Sequence, residues 1–84
     1  MQPVFVLIKC EPGKAYGVAS QIVEDVEETS EVYSISGEYD LLAKFYVEPD
    51  VDIGHFVCET VQVIPHIRDT FTLIALNAFG AQLP

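Results

Sequence analysis

The chain has 84 residues, half of them hydrophobic, and thirteen Asp and Glu against four Lys and Arg give a formal net charge of −9. A single domain of this size hides only about 60–65% of its unfolded surface on folding, and its charge disfavours direct nucleic-acid binding, which draws affinity chiefly from Lys and Arg neutralising phosphates. No run approaches the roughly 20 apolar residues of a membrane helix and no signal-peptide pattern opens the chain, so a soluble, cytoplasmic protein without a membrane partner is expected.

Residues 3–10, PVFVLIKC, form an apolar run of strand length, with Val4, Val6 and Ile8 on one side and Phe5 and Leu7 on the other. Both faces of this strand ask for cover. Glu11, Pro12 and Gly13 break it, and a helix is expected over about 14–28, where Tyr16, Ala19, Val23 and Val26 recur at helical spacing with Ile22 beside them. The acidic residues at its end have the wrong sign for the negative pole of a helix, so the packed face must hold it.

Residues 32–47, VYSISGEYDLLAKFYV, read as two strands, 32–36 and 41–47, joined in a tight hairpin through Gly37. Residues 29–31 form a polar connection into them. The second strand alternates Leu41, Ala43, Phe45 and Val47 with Leu42, Lys44 and Tyr46, and neither face is fully polar. Pro49 stops it, and Asp50 or Asp52 can cap a helix over about 51–63, whose apolar positions are Ile53, Phe56, Val57, Val61 and Ile64. Pro65 ends that helix. The last strand, 67–77, is expected to place Ile67, Asp69, Phe71, Leu73 and Ala75 on one face and Arg68, Thr70, Thr72, Ile74 and Leu76 on the other. Residues 78–84 are a short tail.

The order strand, helix, strand, strand, helix, strand is the ferredoxin-like split motif, an α+β fold with both helices on one face of a four-stranded antiparallel sheet. One domain, 1–84, accounts for the whole chain. Its strands are apolar on both faces, however, and the helices cover only one. An identical chain packing sheet to sheet is the expected cover, which predicts a homodimer.

Few residues invite chemistry. His55 and Glu59 stand at i and i+4 without a third metal ligand in sequence, and His66 follows Pro65, so exposed surface residues are the reading. Cys10 and Cys58 are too few for a disulfide framework and are expected to be buried free thiols. No nucleophile setting, phosphate loop or dinucleotide fingerprint is present, so no catalytic residue and no cofactor is expected. The loop Gly37, Glu38, Tyr39, Asp40 differs in kind: its glycine lets the backbone approach a small ligand and Asp40 offers a charge for an ammonium group, although an Asp there can equally bond its own backbone.

The stretch Ser36-Gly37-Glu38-Tyr39-Asp40-Leu41-Leu42 resembles the Gly-x-Tyr-Asp segment in the effector-binding (RAM) domain of the Lrp/AsnC regulator family. Pro12-Gly13, Pro49-Asp50 and Ile67-Arg68-Asp69-Thr70-Phe71-Thr72 fall where that family's pattern has them. The resemblance implies a ferredoxin-like unit that dimerises through its sheets as a dimeric α/β barrel, assembles into an octamer or larger ring, and binds an amino-acid effector between dimers. It would place Gly37, Glu38, Tyr39 and Asp40 in the ligand loop and Thr70 and Thr72 in the same site, with an α-ammonium on Asp40 or loop carbonyls and a carboxylate on loop amides or threonine hydroxyls. Family members usually carry an N-terminal helix-turn-helix domain, whereas this sequence begins at the first effector-domain strand. It is similar to the stand-alone modules that sense amino acids and act by assembling with full-length relatives or with an enzyme. Two other readings follow from the same fold: an assembly protein without a ligand, and a small cofactor-free enzyme with a pocket between sheet and helices, for which His55 and Tyr46 are the first candidates.

Overall fold

The computed structural model describes residues 1–80, so the last four residues of the expected tail lie outside the described residues. The elements are β1 Gln2–Cys10, α1 Ala15–Asp25, β2 Thr29–Ser34, β3 Leu41–Val47, α2 Ile53–Phe56, a π-helical turn Val57–Val61 and β4 Ile67–Ile74. The sheet is antiparallel with strand order β2-β3-β1-β4, the ferredoxin-like arrangement in which the first strand is central.

Register decides which side chains share a face. Val4, Val6 and Ile8 pair with Phe45, Ala43 and Leu41, and all six are fully buried. They form one core with Val18 and Ile22 of α1 and with Phe56, Val57 and Val61 of the second helical segment, so both helices lie on this face. Phe45 and Phe56 meet edge to face at 5.2 Å between centroids, a geometry worth about 0.5–1.5 kcal/mol beyond the area it buries.

Several expectations need correction. Helix α1 ends at Asp25, because Val26 turns extended (φ −105°, ψ 105°) to reach the core. Glu27 and Glu28 therefore lie outside it. The Thr29 hydroxyl donates to the Ile22 carbonyl at 3.3 Å, satisfying one of the acceptors that a helix end leaves open. Its packed face is also rotated from the expected one: Ala15, Val18, Ala19, Ile22 and Val26 pack, whereas Tyr16 and Val23 are exposed. Residues 29–31 are not a connection but the start of β2, and the link from β2 to β3 runs over 35–40, too long for a tight hairpin.

The second helix occupies Ile53–Val61 rather than 51–63, and Asp52 caps it by accepting from the His55 amide at 3.1 Å. Its π turn, in which the Gln62 amide donates to the Val57 carbonyl at 2.8 Å, adds a residue to the turn. That brings Phe56 and Val61, five apart, onto the buried side together. In β4 the pairing skips Arg68, since Lys9 faces Asp69 and Cys10 faces Ile67. This bulge breaks the simple alternation and turns Ile67 toward the core instead of onto the face of Phe71 and Leu73.

Candidate functional site

The 35–40 loop is fixed at its neck. The Ile35 amide donates to the Asp40 carbonyl at 3.0 Å, and the Asp40 amide donates to the Ile8 carbonyl at 2.9 Å. The Asp40 carboxylate reaches past its own loop: Oδ2 accepts from the Cys10 amide at 2.8 Å, thirty residues away in sequence. Its partner is thus the end of the central strand rather than local backbone. Burial, and after it the Asp40 charge, push the Cys10 thiol above its ordinary pKa of 9.0. Gly37 has φ 116°, which side-chain-bearing residues rarely adopt, so the loop's shape requires it.

The structure brings part of the expected site together. Leu41, Ile8 and Thr70 lie abreast on β3, β1 and β4, so the loop and Thr70 share one end of the sheet with one strand, about 9–10 Å, between their backbones. The Tyr39 ring crosses that gap and stacks on Phe71 at 6.4 Å and 30°. Gly37 and Glu38 are exposed at the loop tip, and Tyr39 is half-buried. Thr70 and Thr72 pair with Ile8 and Val6 and therefore face the helix side. Within one chain the threonines and Tyr39 stand on opposite faces of the sheet and do not close one cavity.

Sequence reasoning missed the surroundings of Thr70. Gln62, just past the π turn, donates from Nε2 to the Thr70 hydroxyl at 2.7 Å, and the Thr70 amide donates to Asp69 Oδ1 at 2.9 Å. With Ile67 and Arg68 these residues line an open, polar recess of about 280 Å³. Arg68, exposed at the bulge, adds a guanidinium suited to a carboxylate. A lone Arg beside an Asp in a strand is a weak signal without the bulge that turns it outward.

The uncovered face of the sheet is apolar. It carries Phe5 and Leu7 of β1, Leu42 of β3, Tyr33 of β2 and Phe71 and Leu73 of β4, the last three exposed at 51%, 51% and 44%. Lys44 lies among them with its ammonium 5.8 Å from the Phe5 ring centre and 5.0 Å from that of Tyr46, cation–π contacts that let a charge sit on an apolar surface. Beside it a groove of about 410 Å³ runs between Pro3, Phe5, Lys44, Tyr46 and the chain at 75–78.

The other candidates are scattered. Cys10 is buried as expected, but Cys58 is exposed, because the π turn presents Val57 and Val61 to the core and leaves Cys58 outward. His55 is exposed on α2 and Tyr46 lies on the open face of the sheet, so the two side chains considered for catalysis do not meet between sheet and helices. His66 Nδ1 is 3.2 Å from Glu11 Oε1, both exposed, at a turn where His66 takes the left-handed φ of 75°. Among the described residues no three His, Cys, Asp or Glu are grouped as metal ligands would be, and no helix is long and apolar enough to cross a membrane.

Known proteins resemble this chain in sequence and in fold. The HTH-type transcriptional regulator FL11 of Pyrococcus abyssi is 36% identical over 73 residues, which are 87% of this chain and 47% of the regulator; FL11 of Pyrococcus horikoshii is 32% identical over the same shares. The chain thus spans about half the length of the curated relatives it matches. Among solved structures, TTHA0845 from Thermus thermophilus superposes with a TM-score of 0.85 at 27% identity, over 96% of this chain and 100% of that one. AsnC of E. coli gives 0.81 at 26% identity, over 98% of this chain and 55% of that one. The Neisseria meningitidis transcriptional regulator NMB0573, solved as a complex with L-Met, shares the fold with a TM-score of 0.78 at 20% identity, over 99% of this chain and 56% of that one. The Lrp/AsnC ligand binding domain matches residues 3–81, and the chain belongs to that family.

Proposed function

We propose that this chain is an amino-acid-sensing and oligomerisation module of Lrp/AsnC-type regulation, acting as a single effector-binding domain over 1–84. The observation that carries the reading is the 37–40 loop, held rigidly at its neck while its glycine and Glu38 stay exposed, in a chain of a ligand-binding family. The methionine complex of the Neisseria regulator, a property of that protein, supports an amino acid as the ligand class.

In this reading the open sheet face packs on the same face of a second copy, and the resulting dimers assemble into an octamer or larger ring. A ligand binds between dimers. Gly37, Glu38, Tyr39 and Asp40 form the loop side of the site, and Thr70 and Thr72 line it from a neighbouring subunit, which suits their placement on the opposite face within one chain. Loop carbonyls and the second Asp40 oxygen take the ammonium, and loop amides or threonine hydroxyls take the carboxylate. The Asp40 oxygen bound to Cys10 holds the loop in shape. The assembled module acts on full-length regulators of the family, or on an enzyme, and performs no catalysis of its own. The net charge of −9 supports a role without direct DNA contact.

Thermal-shift titration with the common amino acids tests this. At least one should raise the melting temperature, because a ligand at about 100 times its dissociation constant adds about 2.7 kcal/mol to the native state. The shift should vanish in Gly37→Val. No stabiliser at millimolar concentration would sink the sensing role.

A further inference from the structure

The last strand continues into an arm that the fold itself does not use. Beyond Ile74 the chain leaves the sheet, and Leu76 and Phe79 are exposed at 88% and 92%, the most exposed large apolar side chains of the described residues. The arm begins at the wall of the groove formed by Pro3, Phe5, Lys44 and Tyr46. It is also uncharged: residues 70–84 contain no Asp, Glu, Lys or Arg, in a chain with thirteen carboxylates.

We infer that the arm is an exchange element, with Leu76 and Phe79 of one copy seated in the Phe5–Lys44–Tyr46 groove of a second copy, and the reverse. The inference rests on the sheet-to-sheet dimer proposed above and names the contact that closes its ends. Three observations select a second copy as the occupant. A two-fold contact needs a self-complementary surface, and here an apolar projection and an apolar groove stand side by side on one chain. Two chains of net charge −9 repel except where both present uncharged surface, and the run from Thr70 through the arm is the longest stretch of the sequence without a charged side chain. The groove is continuous with the apolar sheet face, so one docking event covers both.

Sedimentation of the full chain and of Leu76→Ser/Phe79→Ser, with circular dichroism to confirm folding, gives the first readout. The wild type should be a dimer, and the double variant should raise its dissociation constant by about tenfold or more, as expected for losing two buried apolar side chains. The second readout mixes a Leu76→Cys chain with a Tyr46→Cys chain, both in a Cys58→Ser background, and adds a short bismaleimide; Pro3→Cys provides a second position on the groove wall. A covalent dimer that forms only in the mixture supports exchange. A monomeric wild type overturns the dimer reading and the exchange with it. A dimeric wild type whose dissociation constant ignores the double variant, or whose mixtures give no cross-link at either wall position, overturns the exchange alone.

Discussion

The two faces of the sheet carry similar residues and have different fates. On one, Val4, Val6, Ile8, Leu41, Ala43 and Phe45 are sealed under the helices; on the other, Phe5, Leu7, Leu42, Phe71 and Leu73 have no helix over them. Strand composition records only that a face is to be hidden. What hides it is decided by the number of helices available, and two suffice for one side.

Phe45→Ala separates the faces most sharply. It should cost about 3–5 kcal/mol in urea unfolding, since it opens a cavity in the sealed core and removes the edge contact with Phe56. Phe71→Glu should leave the circular dichroism spectrum intact and turn a sedimenting dimer into monomers, because a carboxylate on the open face opposes burial there. If Phe71→Glu unfolds the chain as Phe45→Ala does, the open face belongs to the folding core and the contrast fails.

At the shared end of the sheet, Asp40→Ala should cost about 1–3 kcal/mol by stranding the Cys10 amide, with faster hydrogen exchange at that amide, while Asp40→Asn recovers part of the loss through its carbonyl oxygen. The smallest effect is a pH dependence. Cys10 has a folded pKa above its unfolded one, so the stability it contributes is complete below pH 9 and declines as the pH rises through the folded value. Urea titrations between pH 8 and 10 should show the decline, and at pH 8 a thiol reagent should label exposed Cys58 at once and Cys10 only after unfolding.

Much of the fold was legible because strong local signals agreed. The apolar run at 3–10, the breaks at Pro12-Gly13 and Pro49, and the cap at Asp52 place both ends of β1, the start of α1, the end of β3 and the start of α2 to within about a residue or two. The face of α1 was not, since Tyr16 and Val23 mimic a buried stripe as well as Val18 and Ile22 do, and only the sheet beneath decides between them. The π turn and the Arg68 bulge each add one residue to a regular pattern, which periodicity alone cannot register. At the candidate site the loop was visible through Gly37 and Asp40. The Cys10 partner of Asp40 and the Gln62 partner of Thr70 were not, because each is made across the fold.

The uncharged run that begins at Thr70 has a consequence for the solubility of the isolated chain. β4 is an edge strand with one row of backbone donors and acceptors unpaired within the chain, and residues 70–76, TFTLIAL, combine high β-propensity with no charge and no proline. Such a segment on an open edge is a template for cross-β aggregation. The proposed pairing with a second copy and disorderly stacking of many would therefore compete for the same residues. Slow dilution during refolding should favour the former, and any change that delays docking should shift the chain toward insoluble material.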